Sequence, residues 1–93
     1  MRDMNNVEMV AHALCDYVRP QVDSHAFNQI ESSIAAGEPY DAILTALSIC
    51  VTYGVALPPS WVDSVKSVQG FRPIESEFLT ELIPELPRWS LVA

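Results

Sequence analysis

Ile34-Ala-Ala-Gly-Glu-Pro-Tyr-Asp-Ala-Ile-Leu-Thr-Ala-Leu-Ser-Ile-Cys-Val-Thr-Tyr-Gly54 is the stretch whose reading decides the fold. Gly37 lacks a Cβ and is free to take the left-handed conformation that closes a preceding helix. Glu38-Pro39 then opens the next one, since proline at the first helical position loses only an amide that had no partner. From Pro39 to Gly54 only Asp41, Thr45, Ser48 and Thr52 interrupt an apolar sequence, and they fall on one narrow helical stripe. A helix apolar almost all round is packed by neighbours on several sides. The expectation is an all-α, single-domain bundle of about five short helices spanning residues 1–93, built around a central buried helix over residues 39–53.

Working outward, a first helix is predicted from about Asn6 to Val18, with Asn5 as cap and Glu8 completing a capping box. Val7, Val10, Ala11, Leu14 and Val18 make its buried stripe, and Pro20 ends it by pushing Arg19 away from helical angles. A second helix starts near Asp23-Ser24 and runs to Ala36, with Phe27, Ile30 and Ile34 inward. The turn at Gly37 is so short that the second and central helices form an antiparallel hairpin.

Beyond Gly54, Val55-Ala-Leu-Pro-Pro reads as an extended connector. Ser60, with Asp63 three residues on, is expected to cap a fourth helix that buries Trp61, Val62, Val65 and Val68 and stops at Gly70. A fifth helix begins near Pro73, with Ile74, Phe78, Leu79, Leu82 and Ile83 as its apolar stripe and Pro84 as its end. The tail from Glu85 is non-helical but apolar.

Twelve acidic residues against five basic ones give a net charge of −7. Such a chain is repelled by nucleic acid phosphates and by anionic lipid, so neither is an expected partner, and a basic protein is. Cys15 and Cys50 lie on apolar helix faces without a Cys-x-x-Cys spacing, which suits buried thiols in a reducing cytoplasm. The amino-terminal residues lack the apolar core of a signal peptide, and no apolar run is long enough to span a membrane.

Little in the sequence points to catalysis. His12, Cys15 and Asp16 share a helix face, but with no second cluster of ligands they do not complete a metal site. His12 reads as a partly buried structural histidine and His25 as a surface or capping residue. There is no Gly-x-Ser-x-Gly elbow and no phosphate loop, and the three glycines are all accounted for as helix stops. The expectation is a non-enzyme without metal or cofactor.

Two acidic groups stand out instead. Glu77 and Glu81 lie one turn apart on the fifth helix, with Glu75 and Glu85 nearby and no lysine or arginine inside the helix to offset them. Glu38 and Asp41 sit at the start of the central helix, where they also suit its positive end. Trp89 could be a buried lid or an interface anchor, and Tyr40 a core residue or a contact; the sequence leaves both open. Glu75, Glu77, Glu81, Glu85, Trp89, Glu38 and Asp41 form the candidate partner-binding set.

The pattern Ile30-Glu-x-x-Ile-x-Ala-Gly37-Glu38-x-x-x-Ala42-Ile-x-x-x-Leu47, followed by Gly54-Val-x-Leu-Pro58 and a further helix, resembles the Maf-type immunity family of bacterial polymorphic and contact-dependent toxin systems. Gly37, Glu38, Ala42 and Leu47 carry the resemblance, and Pro39 and Ile43 depart from it. It implies a cytoplasmic protein that binds a cognate toxin domain and blocks its active site. Many such toxins are basic nucleases, in keeping with an acidic chain. The competing expectation is a small acidic helical adaptor or regulator, homodimeric through residues 87–93.

Overall fold

Every turn of the hairpin at the centre of the molecule is closed by backbone geometry. In the computed structural model, which describes residues 4–89 with side chains from residue 6, α2 (Ser24–Ala35) ends at Gly37 with φ +74°. The Gly37 amide donates to the Ile34 carbonyl at 3.0 Å and the Glu38 amide to the Ser33 carbonyl at 2.9 Å. These two bonds satisfy carbonyls that a helix end otherwise leaves unpaired. Pro39 then starts α3 (Pro39–Tyr53), whose first turn is fixed by the Ala42 amide donating to the Glu38 carbonyl. Gly54, at φ +69°, closes α3 in the same left-handed way.

The central position of α3 is as the sequence predicts. Tyr40, Ala42, Ile43, Leu44, Ala46, Leu47, Ile49 and Cys50 are all buried, while Asp41 and Thr52 are exposed and Thr45 and Ser48 half-buried. α1 (Met4–Val18) and α2 cover two sides of α3, and α5 (Pro73–Leu82) covers a third. α4 (Pro59–Ser67) packs on α1. Among the described residues there is no strand. Val7, Ala11, Leu14 and Val18 of α1 and Ala26, Phe27 and Ile30 of α2 complete one continuous apolar core with α3, and Val10 and Ile34 flank it. No helix among the described residues is long and apolar enough to cross a membrane.

Several expected details are corrected. α1 begins at Met4, so Asn5 lies inside the helix instead of capping it. Arg19 does not leave helical angles before Pro20; residues Arg19–Gln21 tighten into a 3-10 turn, and the Arg19 guanidinium lies 4.6 Å above the Phe27 ring. α4 starts at Pro59, not Ser60, because a proline at the first helical position already has the right φ and needs no hydroxyl cap. Pro58 occupies the cap position and no side chain caps the helix. That helix stops at Ser67, before Gly70, as Val68 turns extended to bury its side chain.

Asp23 does cap α2, its carboxylate accepting from the Ala26 amide at 2.9 Å. It also accepts from the Tyr53 hydroxyl at 3.1 Å, tying the start of α2 to the end of α3. The amide bond first, then the hydroxyl, holds the Asp23 carboxyl below its ordinary pKa of 3.8. Burial pushes the Cys50 thiol up to about 11 and raises Cys15 as well, so both are protonated, free and packed as small apolar groups.

Two predictions follow from these caps. No atom lies within 4 Å of where a Gly37 Cβ would stand, so only conformational strain opposes a side chain there. Gly37→Ala is expected to lower unfolding stability by about 1–2 kcal/mol, and Gly37→Asn by less, read as a shift in urea midpoint at constant slope. For Asp23, a depressed folded-state pKa means the stabilisation is present above the ordinary carboxylate pKa and lost as pH falls through the folded one. The stability gap between the native chain and Asp23→Ala should therefore be widest above about pH 5 and narrow towards about pH 3 in urea titrations.

Candidate protein-binding face

One tyrosine fastens the amino-terminal turn of α3 to the connector that leads into α5. Tyr40 is buried on the first turn of α3, and its hydroxyl donates to the Gln69 carbonyl at 2.7 Å. Its ring meets the edge of Phe71 with centroids 5.0 Å apart. Tyr40 is thus a core residue, and it fixes the connector that leads into α5. Arg72 follows at the cap of α5, its amide donating to a Glu75 carboxylate oxygen at 2.7 Å while its Nε lies 3.7 Å from the same oxygen. Glu75 therefore serves as the acidic half of a capping box.

This docking brings Glu38 and Asp41 onto one face with Glu75, Glu77 and Glu81. A recess of about 520 Å³ is lined by Glu38 and Asp41 from the start of α3 and by Arg72 and Glu75 from the start of α5. Next to it, buried Leu44 and the protruding Ile74 and Phe78 line a groove of about 490 Å³ whose lips carry Glu75, Glu77 and Glu81. A third hollow, about 310 Å³, continues along Asp41, Thr45 and Ser48 and shares Leu44 and Phe78 with the groove. Asp41, Thr45 and Ser48 of the polar stripe of α3 thus line part of a concave surface between α2, α3 and α5. Asp41 accepts a hydrogen bond from the Ser33 hydroxyl on it, joining α2 to α3 across the hairpin. Glu38 makes no side-chain cap bond; its charge lies exposed at the positive end of α3.

The remaining candidates stand apart. Glu85 lies in the 3-10 turn Ile83–Glu85 and Trp89 beyond it, both exposed, and neither lines the three recesses. The part of the tail beyond Trp89 falls outside the described residues, and with it most of the segment expected to dimerise. Phe71 is half-buried against Tyr40. Trp61 is half-buried beside Tyr17, at 6.0 Å between ring centroids. His12 is exposed, not partly buried, because it faces away from the side of α1 that Val7, Ala11 and Leu14 turn to the core. His25 is exposed as expected. Among the described residues no group of three or more histidines, cysteines or acids converges as for a metal ion.

The residues missed by sequence reasoning as site candidates are Ile74 and Phe78, read only as part of the apolar stripe of the fifth helix. Ile74 is 75% exposed and Phe78 44%. At about 100° per residue the apolar residues of α5 cover a half-circle, from Ile74 through Phe78, Leu82 and Leu79 to Ile83. Leu79 and Leu82, on one side of that arc, are buried, while Ile74 and Phe78, on the other, are left in solvent. The width of the arc was the available signal, since a helix at the edge of a bundle rarely buries half its circumference.

No protein-family model, curated protein or solved structure matches this chain.

Glu75 differs in kind from the other acids of α5. Glu75→Ala should cost about 1 kcal/mol of unfolding stability through the lost cap, whereas Glu77→Gln and Glu81→Gln should each stay within about 0.5 kcal/mol, as compared by urea denaturation.

Proposed function

We propose that this chain is an immunity-type protein, which binds a cognate basic toxin domain in the cytoplasm and neutralises it by covering its active site. The observation that carries this reading is the concave face just described, apolar along Leu44, Ile74 and Phe78 and rimmed by Glu38, Asp41, Glu75, Glu77 and Glu81. Exposed apolar side chains grouped in a concavity mark a protein-binding surface more often than chance scatter does. A rim of one sign selects the partner's charge and speeds the encounter. The net charge of −7 extends the same preference to the whole molecule. The likeness of the Gly37-Glu38 turn and Ala42…Leu47 spacing to Maf-type immunity proteins supports the toxin as the partner. Neutralisation by occlusion asks no chemistry of the binder, in line with its role as a non-enzyme.

The decisive experiment pairs the chain with the product of the adjacent reading frame, which this reading expects to carry a toxin domain. Co-expression is expected to rescue growth, and the purified proteins to form a 1:1 complex. Raising salt from about 50 to about 500 mM should slow association roughly tenfold or more with far less change in dissociation, because steering charges are screened and packed contacts are not. No rescue together with no complex would sink the reading. Light scattering of the isolated chain separates the adaptor alternative, which calls for a dimer.

A further inference from the structure

We propose that the groove between α3 and α5 receives one amphipathic helix of the partner, with apolar residues on its inner stripe and lysine or arginine on both shoulders. The inference rests on the binding role proposed above and names the element that the face takes.

Three observations lead to a helix. Ile74 and Phe78 lie one turn apart on α5, exposed over 75% and 44% of their surfaces, with buried Leu44 of α3 behind them. They form the ridge that side chains of a second helix pack beside, repeating at the spacing a helix presents. The walls of the groove are themselves helices, whose interior amides and carbonyls are already paired, so they offer no edge for an extended strand to join. An occupant that enters an apolar groove must bring its own backbone hydrogen bonds, and a helix does. At 1.5 Å per residue the ten residues of α5 give a seat about 15 Å long, enough for roughly three turns.

The charge of the occupant follows from the lips. On the helical wheel of α5, Glu77 and Glu81 border the Ile74–Phe78 ridge on one side and Glu75 on the other, with Asp41 of α3 beyond it. α5 contains no basic residue, and the exposed Arg72 at its cap is already engaged with Glu75. A helix with cations on both shoulders of its apolar stripe meets an acid on either side. A second copy of this chain would bring its own Glu77 and Glu81 against the same residues at a net charge of −7, which argues against self-association through this face.

The test uses the full chain, isotopically labelled, and a synthetic helical peptide of about 14 residues with leucines on one stripe and lysines elsewhere. Its control is a peptide of the same composition in scrambled order. The ordered peptide should bind at least roughly tenfold more tightly, and amide shifts should change along α5 and residues 41–48. Ile74→Lys should remove that advantage; being so exposed, it should leave the circular dichroism and urea midpoint unchanged, and Phe78→Ser provides a second probe. Equal binding of both peptides, shifts confined to another face, or indifference to Ile74→Lys would each overturn the groove. So would self-association of the native chain that Ile74→Lys abolishes, because the occupant would then be a second copy. A toxin complex untouched by Ile74→Lys rejects the groove and spares the immunity reading. A groove that seats the peptide in a chain that binds no toxin rejects the immunity reading and spares the groove.

Discussion

A helix with apolar side chains on nearly every side has to be surrounded, and that requirement on α3 organises this molecule. α1 and α2 cover two sides, α5 a third, and the sliver left over carries Asp41, Thr45, Ser48 and Thr52. Each buried aliphatic side chain on α3 contributes about 1.5–3 kcal/mol relative to exposure in water, so no neighbour can be withdrawn cheaply. Gly37 makes the arrangement reachable: two short-range backbone bonds reverse the chain in a few residues and lay α2 directly on α3. The core is then completed by α1 and α5, neither of them next to α3 in sequence.

How much of this was legible in the sequence depends on how each feature is encoded. The hairpin was legible because its determinants are local: a glycine that must be left-handed, a proline that must be first, and a stripe of four polar residues at helical spacing. The Asp23 cap was legible for the same reason. The start of α4 was misread because two mechanisms for opening a helix stand side by side, and Pro59 acts one residue before Ser60. The acidic candidates were found by counting charges, but their convergence was not foreseeable. Glu38 and Asp41 are more than thirty positions from Glu75, and they meet only through tertiary packing: α5 against α3, the Tyr40–Gln69 hydrogen bond and the Phe71 ring. Periodicity told which residues of α5 are apolar; it could not tell which side of their arc the neighbouring elements would leave uncovered.

The concave face combines two leftovers of packing. Asp41, Thr45 and Ser48 come from the one stripe of α3 that the bundle had no need to bury, and the Ile74–Phe78 ridge is the part of α5 that the bundle leaves exposed. Glu75 spans both purposes, capping the helix with one contact and lining the recess with the rest of its side chain. A surface of this kind is rigid where it joins the core and wet at its rim, the division common to protein interfaces.

The attachment of α5 has a thermodynamic side. α5 is held by α3 and by the Tyr40 clasp on its leading connector, while α1, α2 and α3 brace one another. Helices fastened on one side only are the segments that open first in sub-global fluctuations, well before the whole domain unfolds. A partner seated along α5 would oppose that opening by mass action and would lengthen the residence of α5 on the core. Occupancy of the groove would thereby be coupled to protection of the α5 amides from solvent exchange. The same coupling would make an unoccupied chain easier to clear, since an opened α5 uncovers Leu79 and Leu82, apolar residues that a protease or chaperone would meet.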